Sequence, residues 1–302
     1  MKRTKHKNTN GWLIVDKPQG MGSTDVVNLT RRLFDANKNG HAGTLDPFAT
    51  GVLPIAFGEA TKLIPYVMDG TKEYEFTLKF GADTTTDDIE GDVVHQGGRI
   101  PSRDEILSVL PSFVGHIEQT PPAYSAIKIG GERAYTLARK GVDFEVPTRR
   151  VQIDSLEYLG QKDTDSFCFK VKCSKGTYVR SLGRDIALRL NTFGHLTSLR
   201  RTKCSIFSLS DTILLENLKN MVYERGEQDS LRPVETALRD IAALAVSAED
   251  AAKLRLGQSL SVKSYDVKKH LGCVMGAFSE ACLVALVRIE EKKISPIRVF
   301  NF

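Results

Sequence analysis

Cysteine is scarce and unpatterned: Cys168, Cys173, Cys204, Cys273 and Cys282 are the only five in 302 residues, an odd number with no C-x-x-C pair. This excludes a disulfide-stapled scaffold and argues against a structural zinc site. No secretory signal is read at the N-terminus, so a reducing cytosol is the expected compartment. No apolar run reaches the length of a membrane span, so a soluble protein is expected. The chain also lacks a P-loop, a dinucleotide-binding GxGxxG and any set of metal ligands at binding spacing, so neither a cofactor nor a metal is expected. Net charge is modest as well: 42 Lys and Arg against 37 Asp and Glu give +5, which permits a nucleic-acid partner without requiring one.

Hydrophobic residues make up 41% of the chain, enough for one large domain and a small one. The positive charge is unevenly spread. Residues 1–10 carry Lys2, Arg3, Lys5 and Lys7 with no acid, and residues 121–150 carry Lys128, Arg133, Arg139, Lys140, Arg149 and Arg150 against three acids. Both stretches are plausible phosphate contacts, and the first reads equally as a solvated, flexible tail.

Local patterning gives a mixture of strands and helices. Trp12 to Val15 is a short apolar strand run closed by Lys17, Pro18 and Gly20, and a helix follows with Ser23 or Thr24 as its cap and Val26, Val27, Leu29 and Leu33 on its buried side. Tyr74, Phe76, Leu78 and Phe80 alternate with Glu75, Thr77 and Lys79, the pattern of a half-buried strand. The acidic DTTTDDIEGD, from Asp83 to Asp92, has Asp88 where an EF-hand loop requires glycine, so it reads as a polar turn between two strands. Residues 103–110 read as helix, as does Glu132 to Lys140, which Gly141 stops. After the alternating FCFKVKC, KGT turns into a helix that buries Val179, Leu182, Ile186 and Leu190 and gathers Thr177, Arg180 and Arg184 on another face. Composition shifts near residue 235. Beyond it, Ser247 to Asp250 forms a capping pattern that opens a short helix closed by Gly257, and LSVKSY, CVMGAF, CLVALVRI and ISPIRVF read as the strands of a compact β-barrel.

The most informative stretch is GHAGTLDPFATGVLPI, residues 40–55. It sets a single carboxylate, Asp46, among small residues, and Gly40, Gly43 and Gly51 permit backbone geometries that larger residues resist. A bulky substrate could approach such a carboxylate closely, which suits a nucleophile. Asp46 followed by Pro47 is also the pattern of a helix N-cap with proline at the first helical position, and on local spacing alone the cap is the simpler reading.

Ordered blocks across most of the chain reverse that preference. GWLIVDKPQGMGST (11–24), the 40–55 stretch, KEYEFTLKFG (72–81), PPAYSAIKIGGERAYTLARKG (121–141), CSKGTYVRSLGRDIA (173–187) and SLRRTKCSIF (198–207) together resemble the TruB family of bacterial tRNA pseudouridine-55 synthases. The resemblance implies an α+β catalytic domain over 11–235, with a mixed, largely antiparallel sheet, flanking helices and an RNA-gripping insertion at about 117–150. It further implies a small C-terminal PUA-like β-barrel over 236–302, with residues 1–10 set apart by their charge as a basic tail.

The implied reaction breaks the N1–C1′ bond of a uridine, turns the base and joins C5 to C1′, with no redox change. By resemblance Asp46 is the catalytic carboxylate, stabilising or attacking the electron-deficient C1′. Arg180 is its ion-pair partner, opposing the rise in pKa that burial would cause. Tyr74 stacks on the target base and serves as a base toward the ribose. Tyr178 and Leu199 shape the uracil site, His41 fills the space left by a flipped nucleotide, and Lys17 and Lys62 are helpers. The insertion, with Tyr124, Lys128, Arg133, Tyr135 and Arg139, grips the tRNA T-arm. Because guide-RNA-dependent relatives lack that form of insertion, neither a guide RNA nor an obligate protein partner is expected, and the chain should be a monomer. Taken singly, these residues also have ordinary readings: a core tyrosine, an exposed helical arginine, a loop histidine. The corresponding alternatives for the whole chain are a non-catalytic tRNA-binding or tRNA-folding module, and the same chemistry on another RNA.

Overall fold

The computed structural model describes residues 9–302; Lys2, Arg3, Lys5 and Lys7 of the basic start lie outside the described residues. Two early strands are apolar on both faces, and that determines where they sit. β1 (Gly11–Lys17) sends Leu13 and Val15 into one buried cluster and Trp12 and Ile14 into another. β2 (Thr50–Phe57) divides Leu53, Ile55 and Phe57 from Val52 and Ala56 in the same way. Successive strand side chains point to opposite faces, so such runs need a packed layer on each side.

Both strands lie in a ten-stranded sheet with β3 (Lys72–Phe80), β4 (Gly115–Gln119), β5 (Arg149–Asp163), β6 (Ser166–Cys173), β7 (Gly194–Cys204) and β8 (Ile213–Leu214). Their spatial order is β8, β1, β2, β7, β3, β6, β5, β4, with two shorter strands attached to β2 and β7. Pairing is antiparallel except between β1 and β8 and between β2 and β7, so the sheet is mixed and largely antiparallel, as expected. The alternation of β3 is only half the story. Thr77, on its polar face, is buried because β3 is flanked by β6 and β7; its hydroxyl accepts from Ser198 Oγ at 2.8 Å.

Helix α1 (Ser23–Leu33) packs Val26 and Thr30 inward. Its cap is Gly22 rather than Ser23 or Thr24: the Gly22 amide donates to Asp25 Oδ2, while Ser23 Oγ exchanges hydrogen bonds with the backbone of Leu45. Helix α2 (Val179–Arg189) buries Val179, Leu182 and Ile186, with Leu190 just past its end, on the face read from the sequence. A Cβ at Gly183 would stand 2.3 Å from Leu196 Cδ1, so glycine lets α2 lie close against β7. In the insertion, the helix covers only Ala134–Arg139. Glu132 and Arg133 instead pair with Lys128 and Ile129 in a tight hairpin, a pairing that helical composition does not reveal.

The C-terminal part forms its own five-stranded sheet from β9 (Ala243–Ala245), β10 (Leu260–Ser261), β11 (Val274–Ser279), β12 (Cys282–Ile289) and β13 (Lys293–Val299), with α3 (Ala248–Arg255) packed on it. Its order is β9, β11, β12, β13, β10, so it curls as a half-barrel with two edges rather than closing. Ser247 Oγ accepts from the Asp250 amide, giving half of the expected capping box; the Asp250 carboxylate is held instead by Tyr265 and Lys253.

The second apolar cluster joins the two sheets: Trp12, Ile14, Val52 and Phe207 meet Val234, Leu238, Leu283, Leu286 and Phe300. Trp12 is fully buried there and its indole N–H donates to Val234 O at 3.0 Å. Trp12→Ala should therefore lower unfolding free energy by about 3–5 kcal/mol in urea titration, the usual range for a fully buried Trp truncation.

Candidate active site

Asp46 does not cap a helix. Residues 42–50 are turns and extended chain, and the side chain meets a cation instead: Arg180 Nε lies 3.0 Å from Asp46 Oδ2. The Nε–H is not aligned for a hydrogen bond, so the contact is an ion pair. Arg180 itself is 4% exposed, near the start of α2, and its other nitrogens are committed. Nη1 donates to Thr86 O at 2.9 Å and stands 3.2 Å from Asp88 Oδ2; Nη2 donates to Tyr124 O at 3.0 Å. One guanidinium thus ties together the Asp46 loop, the acidic loop and the start of the basic insertion. The Asp46 side chain keeps 35% exposure, so it faces outward from this buried scaffold.

The acidic loop does more than turn. It joins two short paired strands, Ala82–Thr84 and Val93–Gln96, so a turn between strands is found as read, but Asp87 and Asp88 are buried. Asp88 Oδ1 accepts from Thr86 Oγ1 and the Glu90 amide, leaving Oδ2 to Arg180. Asp87 pairs with Arg184 Nη1 at 2.9 Å, and burial pushes its carboxyl up to about 6 against that arginine. Sequence reasoning missed both acids. The available signal was two arginines one helical turn apart, Arg180 and Arg184, which need two acids from elsewhere in the chain.

Burial raises the Asp46 carboxyl above its ordinary range; Arg180 opposes this, and the nearby Asp88 charge adds to it. The arginine therefore restrains the shift without cancelling it. Tyr74, also partly exposed, has its phenol pushed up to about 12 by burial, with Arg201 pulling the other way. At neutral pH that phenol holds its proton. His41 has a buried Nδ1 with no hydrogen-bond partner, and burial together with Arg201 lowers its pKa, so the ring is neutral.

Lys17 is fully buried and donates to Pro18 O, Met21 O and Pro47 O at 2.8, 2.6 and 3.1 Å. It fastens the DKPQG turn to the residue after Asp46, so it supports the loop from beneath rather than facing outward. Tyr178 is held through both main-chain groups by the buried Gln119 side chain, and Arg149 stacks over its ring at 4.7 Å. Leu199 is 6% exposed, paired with Phe76 and packed in the main core. Lys62 lies away from this group: it donates to Glu59 Oε2 and Val299 O and sits over Phe300, fastening the end of the chain. Lys128, Arg133 and Arg139 are exposed on the insertion, with Arg139 over Tyr135. Among the described residues no three His, Cys, Asp or Glu side chains are grouped to hold a metal ion, and no helix is long and apolar enough to cross a membrane.

The mixed sheet, with Asp46 held over a buried arginine at the start of α2, belongs to a pseudouridine synthase. Relatives and family models agree. The chain belongs to the TruB family: the model described as TruB family pseudouridylate synthase (N terminal domain) matches residues 31–179, and that of the tRNA pseudouridylate synthase B C-terminal domain matches 180–239. The tRNA pseudouridine synthase B of Caulobacter vibrioides is 47% identical over 99% of both chains. The protein of the same name from Bradyrhizobium diazoefficiens is 47% identical over 99% of this chain and 88% of its own. A solved Cbf5-Nop10-Gar1 complex contains a chain that superposes with a TM-score of 0.75 at 26% identity, covering 97% of this chain and 84% of the other.

Proposed function

We propose that this chain isomerises uridine 55 in the T-arm of tRNA to pseudouridine, acting alone and in the cytoplasm. The observation that carries the reading is the Asp46–Arg180 ion pair, with Asp46 partly open to solvent above a fully committed guanidinium. An extruded uridine presents its C1′ to Asp46. As N1–C1′ breaks, the carboxylate attacks or stabilises the electron-deficient carbon; C5 then bonds to C1′, C5 gives up its hydrogen to solvent and N1 gains one, so the change is an isomerisation. Tyr74 stacks on the base. Its protonated phenol fits a hydrogen-bond donor better than a base in the resting site.

Tyr178 and Leu199 shape the uracil site and His41 fills the space left by the flipped nucleotide, with Lys17 fixing the loop beneath, and Lys128, Arg133 and Arg139 hold the T-arm. We assign residues 11–235 to catalysis and the half-barrel after 235 to a PUA-like RNA-binding unit. The insertion supports recognition without a guide RNA or a protein partner, as a monomer. Five free thiols fit a reducing compartment.

Arg149 sharpens the RNA contact. The residue is partly exposed, with its guanidinium held over the Tyr178 ring at 4.7 Å, so its charge can meet a phosphate of the bound RNA. Arg149→Gln should weaken tRNA binding at all sequences and reduce the slope of log K against log salt by about 1 in filter binding. The function itself is tested with 5-tritiated uridine transcripts: tRNA should release tritium, and the same transcript with cytidine at 55 should not. Equal release from both would place the reaction elsewhere in the RNA.

A further inference from the structure

We propose that Arg201 is a positioning residue of this site, its buried guanidinium fixing the Asp46 loop against the Tyr74 strand and holding a permanent positive charge beneath both. The inference rests on the reading of the site as one that forms pseudouridine. It begins from topology. β7 lies between β2 and β3, and Arg201 is the register partner of Gly51 on one side and of Tyr74 on the other.

Its side chain then reaches β2 and the Asp46 loop that leads into it. Nε donates to Val52 O at 2.7 Å, Nη2 to Gly43 O at 3.0 Å and Nη1 to Thr44 O at 3.4 Å, so one planar group grips the chain on both sides of Asp46. The approach is tight. A Cβ at Gly51, where φ is +99°, would stand 2.2 Å from Arg201 O. Any shift of Arg201 therefore moves the backbone that carries Asp46.

A scaffold alone does not call for a charge here. Arg201 is 1% exposed and its hydrogen-bond acceptors are main-chain carbonyls, a costly way to bury a cation when an apolar side chain could fill the volume. The charge has neighbours on which to act: Tyr74 and Asp46 feel it as attraction, while His41, Lys17 and Lys72 have their protonated forms disfavoured. Arginine meets both demands, because its fork holds three carbonyls in one plane and it does not lose its proton. Lysine retains the charge without the fork.

The test uses the full chain with Arg201→Lys and Arg201→Met, folding followed by circular dichroism. In Arg201→Lys, tRNA affinity should stay within about threefold while single-turnover tritium release falls by about 100-fold or more, the scale expected for a small misplacement of reacting groups. In free Arg201→Met, the His41 imidazole, followed by proton NMR and assigned with His41→Gln, should titrate at higher pH than in the parent, because the nearby positive charge that disfavours its protonated form is gone. The inference is overturned if Arg201→Lys turns over within about threefold of the parent, if its rate loss merely follows lost tRNA affinity, or if His41 titrates unchanged in folded Arg201→Met. Failure of both variants to fold would reduce Arg201 to scaffold and overturn it too. A parent that releases no tritium counts against the proposed function instead, and the His41 titration still decides where the charge acts.

Discussion

Asp46→Asn should lower single-turnover tritium release from uridine-labelled tRNA by more than about 10³-fold while leaving tRNA affinity within about threefold. The amide is nearly isosteric, so the loop should keep its shape; Lys17, Ser23 and Arg201 hold that loop through its backbone, not through the Asp46 side chain. Only the negative charge goes. With it goes the group that meets the electron deficiency at C1′ when the glycosidic bond opens. A carboxylate that merely shaped the loop would be replaced by Asn with little change in turnover.

Arg180→Met should damage both stability and rate. The guanidinium is buried and serves Asp46, Asp88, Thr86 O and Tyr124 O at once. Removing it strands Asp88 as an uncompensated buried charge, and breaking such a pair costs about 3–5 kcal/mol, read here as a lower denaturation midpoint in urea. Activity should fall by more than about 10³-fold as well, because the cation that restrains the Asp46 carboxyl is gone. The sign for pH follows directly. Arg180 lowers the Asp46 pKa against the rise that burial causes, so without it the carboxyl titrates higher. Whatever activity remains should then lose its acid side at higher pH than the parent does. An acid limb that stays in place, or moves down, would detach Arg180 from the titration of Asp46.

Periodicity carried much of the fold. The apolar run of β1, the alternation of β3 and β6 and the core stripe of α2 were readable, because each reports which local face is buried; the strand at β2 was hidden within the motif around Asp46. The Asp46 loop was legible as chemistry only through family resemblance, since its local spacing favours a cap. What stayed hidden depends on partners far away in sequence. Asp87 and Asp88 look like solvated turn residues until Arg184 and Arg180, almost a hundred positions later, fold against them. Arg201 reads as one more basic residue in LRRTK until β7 is inserted between β2 and β3. Lys62, a helper by resemblance, is held by Glu59 and the chain end, partners that its local sequence does not show. The half-barrel, likewise, is recognisable as short strands, but whether its edges meet is a matter of register that composition does not encode.

The most direct test of the account is chemical mapping of pseudouridine on an unmodified tRNA transcript incubated with the parent protein and with Asp46→Asn at concentrations that saturate binding. The parent should convert position 55 and the variant should leave it as uridine. Conversion by both would remove Asp46 from the chemistry, and a parent that binds the transcript yet leaves uridine 55 intact would identify the chain as a tRNA-binding protein without this activity.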